Sequence, residues 1–461
     1  MTLIKSISGI RGTIGGKPNE GLTPLDIVKF TSAFATFIKQ KLGKGKIKII
    51  VGRDARISGE MVNNIVAGTL QGCGVDVVDL GLSTTPTVEI AVPSEKADAG
   101  IILTASHNPK QWNALKLLND RGEFITGAEG EEVLRLAENE EFFYAEVEDL
   151  GSYSKNKKYL QKHIQSVLDL PLVDVEAIRA ARFKVAVDAV NSTGGLFIPA
   201  LLSELGVKHI YKLFCEPNGK FPHNPEPLPK NLTAISEFIQ DQNADVGFVV
   251  DPDVDRLAMV CEDGSMFGEE YTLVAVADYV LSQTPGNTVS NLSSTRALRD
   301  ITEKHGGIYY TSAVGEVNVV SKMKEKNAII GGEGNGGIIY PESHYGRDSL
   351  VGVALFLTLL AKKKMKTSEL RDSYPKYVIS KNKIQLTPEI DVDKILIAMA
   401  EKYKNENINT IDGVKIDFPT EWVHLRKSNT EPIIRIYAES NSQEGADRLA
   451  NRIIEEIKEL I

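Results

Sequence analysis

Cysteine is scarce in this chain. Cys73, Cys215 and Cys261 are the only three in 461 residues, widely spaced and each flanked by a Gly, Phe or Val. That excludes a disulfide framework and predicts buried, reduced thiols in a cytosolic setting. An excess of positive charge is missing too. With 53 Lys and Arg against 62 Asp and Glu, the formal net charge is −9. This argues against nucleic acid and anionic membrane as partners, since both select a basic face. An anionic small molecule could still bind if Arg and Lys were gathered in one cleft. Long hydrophobic runs are absent as well. The densest, residues 353–361, is too short to span a bilayer and reads as a buried helix. The opening Met1-Thr-Leu-Ile-Lys-Ser-Ile-Ser lacks the apolar core of a signal peptide. The expectation is a soluble cytoplasmic protein with no nucleic-acid and no membrane partner.

What remains is ordinary for a large globular chain: 42% apolar and 25% charged residues, and enough length for about three or four domains. The pattern is organised around residues 100–126. Gly100 to Leu103 form a short apolar run suited to a buried strand. It stops at Thr104-Ala-Ser-His-Asn-Pro109, where Pro109 forces Asn108 out of the helical region and fixes a turn. A serine there, at the carboxyl end of a buried strand, has its hydroxyl at the edge where ligand crevices of α/β sheets open. The alternative is a plain connection whose Ser106 and Asn108 bond their own backbone.

A second buried strand, Val246 to Val250, runs into Asp251-Pro-Asp-Val-Asp-Arg256. Asp251, Asp253 and Asp255, at every second position, can converge on one hard cation, for which oxygen ligands suit Mg²⁺ or Ca²⁺. An EF-hand is excluded although Glu262 falls at its twelfth position: Arg256 stands where such a loop requires Gly, and strand-like sequences flank it. A surface turn with three solvated carboxylates is the other alternative, but like charges packed beside an apolar strand need a cation to offset them.

These two loops, with Gly332-Glu-Gly-Asn-Gly336 and Arg426-Lys-Ser-Asn-Thr-Glu-Pro432 further on, resemble the α-D-phosphohexomutase family. All four signatures occur in the family's order across essentially the whole chain. The resemblance implies an α/β fold: three similar mixed-sheet α/β domains and a smaller C-terminal α+β domain around a central cleft. It places them at 1–155 (phosphoserine loop), 156–257 (metal loop), 258–370 (sugar-binding loop) and 371–461 (phosphate-binding domain).

The remaining segments fit this outline. Ser8-Gly-Ile-Arg-Gly12 reads as a turn whose glycines let Arg11 offer its fork to a phosphate. Lys46 to Val51 is a strand, and Arg53 and Asp54 after it are expected to pair with neighbouring loops. A helix follows from about Gly59 to Cys73 and a strand at Val75–Leu80, completing a βαβ pattern. Lys116 alone could be a solvated helix-edge residue. The charged stretch from Glu129 to Lys162 reads as a domain boundary. Further strand–turn–helix openings start at Phe183 and Gly286, without enough identity to be a sequence repeat. Residues 331–337 hold five glycines in seven positions and are expected to form a mobile loop. Asp348 is placed as the N-cap of a helix over 349–362. Lys362 to Lys383 reads as the hinge into the last domain. A strand at Ile433–Tyr437 and a helix from about Gln443 to Leu460 end the chain.

By resemblance, Ser106 carries the transferable phosphoryl group, and Asp251, Asp253 and Asp255 hold one Mg²⁺ per chain together with an oxygen of that phosphoserine. Lys116, Arg11 and Arg256 would neutralise the transferring group. His107 would either orient the serine or serve structure alone. Glu316 becomes an acid/base candidate. Glu333 and Asn335, an acceptor and a donor two residues apart, would meet adjacent sugar hydroxyls. Arg426, Ser428, Asn429 and Thr430 would cradle the phosphate that is not reacting. The implied reaction interconverts the 6- and 1-phosphates of a small-molecule hexose phosphate, with a hexose bisphosphate as intermediate and activator, by a monomer or homodimer. The expected substrate is glucosamine phosphate, with mannose and glucose phosphates as alternatives. A Mg²⁺-dependent sugar phosphatase and a non-catalytic sugar-phosphate sensor are the remoter readings.

Overall fold

Residues 2–6, 9–385, 390–427 and 433–460 are described by the computed structural model. Its strands form four sheets. The first contains β1 (Leu3–Ser6), β2 (Gly9–Thr13), β3 (Ile47–Arg53), β4 (Val75–Leu82), β5 (Ala99–Leu103), β6 (Trp112–Leu118) and β7 (Tyr153–Lys155), in the order β1-β2-β6-β5-β3-β4-β7. The second contains β8 (Lys184–Asp188), β9 (His209–Leu213), β10 (Val246–Val250) and β11 (Leu257–Cys261), in the order β11-β10-β8-β9. The third contains β12 (Asn287–Asn291), β13 (Tyr309–Ser312), β14 (Ala328–Glu333) and β15 (Gly337–Ile339), in the order β13-β12-β14-β15. The last is all antiparallel: β16 (Val378–Gln385), β17 (Asn407–Asn409), β18 (Val414–Asp417), β19 (Trp422–Lys427) and β20 (Ile433–Ser440), in the order β16-β20-β19-β18-β17.

The first three sheets repeat one motif. The motif has four strands, β3–β6, β8–β11 and β12–β15: the first pairs in parallel with the second and the third, and the fourth returns antiparallel to the third. Strand order therefore reverses beside the first strand, and a crevice opens there at the carboxyl ends. The third strands show why the sequence builds this. Ala99–Leu103 and Val246–Val250 are unbroken apolar runs with every residue buried, as strands covered on both faces require. The helix Ser349–Lys363 is apolar all round and buried along most of its length, so it serves as core rather than surface. One continuous apolar cluster embeds it between the second and third sheets.

Several expectations shift. Residues 129–162 are not a bare boundary: the helix Gly127–Glu138 buries Val133, Leu136 and Ala137 in the first core, and β7 extends the first sheet. The second sheet continues past 257, because β11 is its edge strand, and 371 falls within the helix Thr367–Asp372. Arg11 lies on β2, between β1 and β6, rather than in a turn. Lys116 lies on β6, not on a helix edge. The glycine-rich 331–337 is no free loop but a hairpin, with Gly331, Gly332 and Glu333 paired to Ile339, Ile338 and Gly337.

Arg296, only 4% exposed, anchors the fourth domain. Its guanidinium donates to the carbonyls of Phe418, Pro419 and Glu421 and to Asp417, while its backbone N–H donates to Glu439. Arg296→Ala leaves Asp417 and three partly exposed carbonyls without their guanidinium. It should lower the free energy of unfolding by roughly 1–3 kcal/mol, as removing one hydrogen-bonding partner does, measurable by urea denaturation.

Candidate active site

Three loops occupy the same position in the repeated motif, between the third and fourth strands: residues 104–111, 251–256 and 334–336. The loop after each first strand supports it. In the first domain Arg56, 1% exposed, pairs with Asp54 through Nε at 3.0 Å. Its two terminal nitrogens donate to the carbonyls of Ser106, Asn108, Pro109 and Trp112. Asp54 in turn accepts from Thr104 Oγ1 at 2.7 Å, and Thr104 Oγ1 accepts from the Ser106 N–H at 2.9 Å. In the second domain Ser192 and Thr193 donate to the Pro252 carbonyl. In the third, Asn291 donates to Glu333 and Ser294 accepts from the Gly334 N–H.

This scaffold holds strained backbone where chemistry would be done. Ser106 has φ +46° and Val254 φ +64°. A β-branched residue in the left-handed region is rare, and each such residue costs on the order of 1–3 kcal/mol. The Ser106 hydroxyl does not fold back on its own backbone. It donates to Asp251 Oδ2 at 2.7 Å, and His107 Nδ1 lies 3.4 Å from it.

Asp251, Asp253 and Asp255 are fully buried, and one oxygen from each lies within 4.8 Å of the others. Asp251 Oδ1 accepts from the N–H groups of Asp255 and Arg256. Asp253 Oδ2 accepts from Lys116 Nζ at 2.7 Å and Thr85 Oγ1 at 2.6 Å. Asp255 Oδ2 accepts from Arg347 Nη2 at 2.6 Å and Lys116 Nζ at 3.5 Å. Among the described residues Asp253 Oδ1 and Asp255 Oδ1 have no partner although buried. Oxygen donors left open beside two other carboxylates fit a hard cation.

The charges follow this geometry. Burial, with Asp255 and Asp253 nearby, pushes Asp251 well above the usual carboxylate range. Burial also raises Asp255, but Arg347, Lys116 and Arg256 outweigh it and hold that carboxyl low. For Lys116, burial is outweighed by Asp253 and Asp255, so its ammonium is stabilised. Burial and then Arg256 and Arg11 push His107 well below its ordinary value, which keeps the ring neutral beside Ser106. Arg11 is lowered by burial, Arg435 and Arg256. Among the described residues the buried Nε atoms of all three of these arginines have no partner, so each keeps an open N–H donor.

In the third domain Glu333 is 4% exposed and saturated. Oε1 accepts from Asn291 and the Gly315 N–H, and Oε2 from Arg347 and Asn335. Burial raises the Glu316 carboxyl, although Arg347 Nε holds it at 2.9 Å. Arg426 lies on β19, opposite Arg435 of β20 and 3.5 Å from Asp412. Ser428, Asn429 and Thr430 lie outside the described residues. Ser106, His107, Lys116, Asp251, Asp253 and Asp255 thus form one connected set. Glu316 and Glu333 join it through Arg347, the residue before the N-cap Asp348.

Arg56, Thr85, Glu89 and Arg347 are further members that sequence reasoning passed over. Glu89 is 2% exposed, its oxygens have no hydrogen-bond partner among the described residues, and His344 Nδ1 lies 3.4 Å from Oε2. Burial, and then Glu316 and Asp255, push it well above the usual carboxylate range. The signals available were an Asp-x-Arg after a strand and an Arg-Asp before an apolar helix, both too common to act on.

Arg56→Ala leaves four turn carbonyls and Asp54 without their cation. It should destabilise the protein by roughly 3–5 kcal/mol and speed hydrogen exchange at the amides of residues 104–112, read by mass spectrometry.

Comparison with known proteins agrees with this geometry. Family models for phosphoglucomutase/phosphomannomutase α/β/α domains I, II and III match residues 3–143, 158–264 and 268–377, and the model for the C-terminal domain matches 383–456. A phosphoglucomutase/phosphomannomutase of Thermococcus kodakarensis is 36% identical, over 94% of this chain and 95% of its own. A phosphoglucosamine/phosphogalactosamine mutase of Sulfurisphaera tokodaii is 33% identical, over 98% of both chains. The crystal structure of a phosphoglucomutase/phosphomannomutase family protein from Burkholderia thailandensis superposes with TM-score 0.85 at 27% identity, covering 99% of this chain and 98% of that one. With a serine turn, a carboxylate loop and a glycine-rich hairpin at equivalent positions of three domains, the chain belongs to the phosphoglucomutase/phosphomannomutase family and is an intramolecular phosphotransferase.

Proposed function

We propose that this mutase interconverts the 6- and 1-phosphates of a hexose through a phosphorylated Ser106 and a hexose bisphosphate, and that its preferred sugar is glucosamine. The observation that carries the reading is the 2.7 Å contact of the Ser106 hydroxyl with Asp251. It joins a nucleophile of the first domain to the carboxylate loop of the second.

Phosphoryl transfer needs positioning and dispersal of negative charge more than covalent help. A substrate hydroxyl oxygen forms its bond to the phosphorus as the Ser106 Oγ–P bond breaks, and the hydroxyl proton passes to a base of the site while Ser106 regains one. Asp251, Asp253 and Asp255 would hold Mg²⁺, which when bound disperses charge on the transferring group. Lys116 keeps its ammonium against that group and is held there by Asp253 and Asp255. Arg11 and Arg256 would offer to phosphate oxygens the Nε–H groups that have no partner among the described residues. His107, neutral, is suited to hold or pass the serine proton. The hairpin at Glu333 and Asn335 would orient the ring. Because the acceptor positions of Glu333 are filled, a sugar hydroxyl reaches it by exchanging with Asn335 or Arg347. The intermediate then turns over, with Arg426 and the segment 428–430 gripping the phosphate that is not reacting.

Glucosamine is favoured by Glu316, a buried carboxylate bound to the same guanidinium as Glu333. A carboxylate beside the ring hairpin suits an ammonium at C2. Mannose and glucose phosphates are the second reading, supported by the 36% identity to a phosphoglucomutase/phosphomannomutase.

Active enzyme should carry about one phosphate, on Ser106, found by peptide mass analysis, and should need a hexose bisphosphate to restart after dephosphorylation. Full turnover by Ser106→Ala, or by chelator-treated enzyme, would sink the mechanism. Comparison of kcat/KM across the three sugar phosphates tests the substrate. A value for glucosamine phosphate tenfold below either of the others, about 1.4 kcal/mol, would reject that choice.

A further inference from the structure

Arg347 touches both the carboxylate loop of the second domain and the ring hairpin of the third. Its side chain is 9% exposed, and all three faces of its guanidinium are used. Nη2 donates to Asp255 Oδ2 at 2.6 Å, Nη1 to Glu333 Oε2 at 2.8 Å and Nε to Glu316 Oε2 at 2.9 Å. The backbone around it is pinned to the same two loops. The Arg347 N–H donates to Glu316 Oε1, the Asp348 N–H to the Ile338 carbonyl, and the Ser349 N–H to the Val254 carbonyl. Asp348 then caps the following helix through its own side chain. The stem lies so close over the hairpin that a Cβ on Gly337 would meet Arg347 Cδ at 2.3 Å.

We infer that Arg347 is a positioning residue that couples the cation loop to the sugar hairpin, so that a divalent cation and a hexose phosphate bind cooperatively. This rests on the mutase reading above. The coupling follows from the shape of the group. A guanidinium is a rigid planar fork, so its three donor edges move as one body. Asp255 presents one oxygen to that fork and keeps Oδ1 open for a cation. A cation that fixes Oδ1 fixes the orientation of the carboxylate, hence the plane of the guanidinium, hence the placement of Glu333 and Glu316. A sugar that takes an acceptor position on Glu333 shifts the same plane from the other end. Without the fork, three buried carboxylates from two domains have no common partner and can reorient independently. Lysine preserves the charge but not the geometry, since an ammonium is a point donor on a flexible stem.

Titration calorimetry on the full chain tests this, with MgCl₂ and with glucosamine 6-phosphate and glucose 6-phosphate as probes, each measured with and without the other class of ligand. In the unsubstituted protein Mg²⁺ should tighten hexose phosphate binding at least about fivefold, and hexose phosphate should tighten Mg²⁺ binding by the same factor, as linkage demands. In Arg347→Gln and Arg347→Lys that factor should fall to within about twofold of unity. Circular dichroism melting identifies a variant that fails to fold, and Arg347→Lys, which keeps the charge, supplies the measurement if Arg347→Gln does not. A linkage carried by direct contact between cation and phosphate would survive both substitutions, and that result overturns the inference. So does an unsubstituted protein in which the two ligands bind without affecting each other. Binding of Mg²⁺ with no binding of either hexose phosphate would instead overturn the mutase reading, and the inference with it.

Discussion

Three carboxylates on one short loop, fully buried and within 4.8 Å of one another, set the electrostatic terms for the whole centre. At that separation each ionised pair repels by about 3–4 kcal/mol at an effective dielectric of about 20. No local arrangement of residues 251–256 can offset this, because the loop contributes only Arg256 as a cation. The offset is imported. Lys116 comes from β6 of the first domain and Arg347 from the start of a helix in the third. The loop therefore draws the domains together, and their contacts with it are part of the folded state before any ligand arrives. The two open oxygens, on Asp253 and Asp255, are what that imported charge leaves unsatisfied.

A repeated architecture makes the convergence possible. Each of the first three domains reverses strand order beside the first strand of its four-strand motif and closes with an antiparallel fourth, and each puts one of the three site-candidate loops in the same hairpin. The loop after the first strand braces it by a different chemistry each time. Arg56 grips carbonyls, Ser192 and Thr193 donate to Pro252, and Asn291 and Ser294 hold the glycine-rich hairpin. Bracing of this density is what permits Ser106 and Val254 to sit at positive φ. Backbone strain persists only where its surroundings over-determine it.

The site also sorts carboxyl groups by their neighbours. Asp255 and Glu333 contact Arg347 and are held low, whereas Asp251 and Glu89 lack an equivalent direct cation and are pushed up. Burial is common to all four. A guanidinium contact alone does not decide the sign: Glu316 also meets Arg347, yet burial and its carboxylate neighbours Asp255 and Glu333 raise it.

The sequence by itself determined what depends on neighbours along the chain. Apolar runs such as Val246–Val250 announce strands buried on both faces, Pro109 announces a turn, and Asp348 before an apolar stretch announces a capped helix. The convergence of Ser106 and the three aspartates was foreshadowed by their place at strand ends, and the resemblance of their loops to a known family pointed to the family. Tertiary structure alone decided the rest. The glycine-rich 331–337 reads as loop because glycine lacks a side chain to signal a strand, yet its pairing with β15 makes it a hairpin. Arg11 and Lys116 read as turn and helix residues because nothing local reports that β2 and β6 are adjacent. Arg56, Glu89 and Arg347 stayed invisible because a buried charge takes its meaning from partners far away in the chain. Arg347 lies 92 residues from Asp255, and no periodicity or spacing spans that distance.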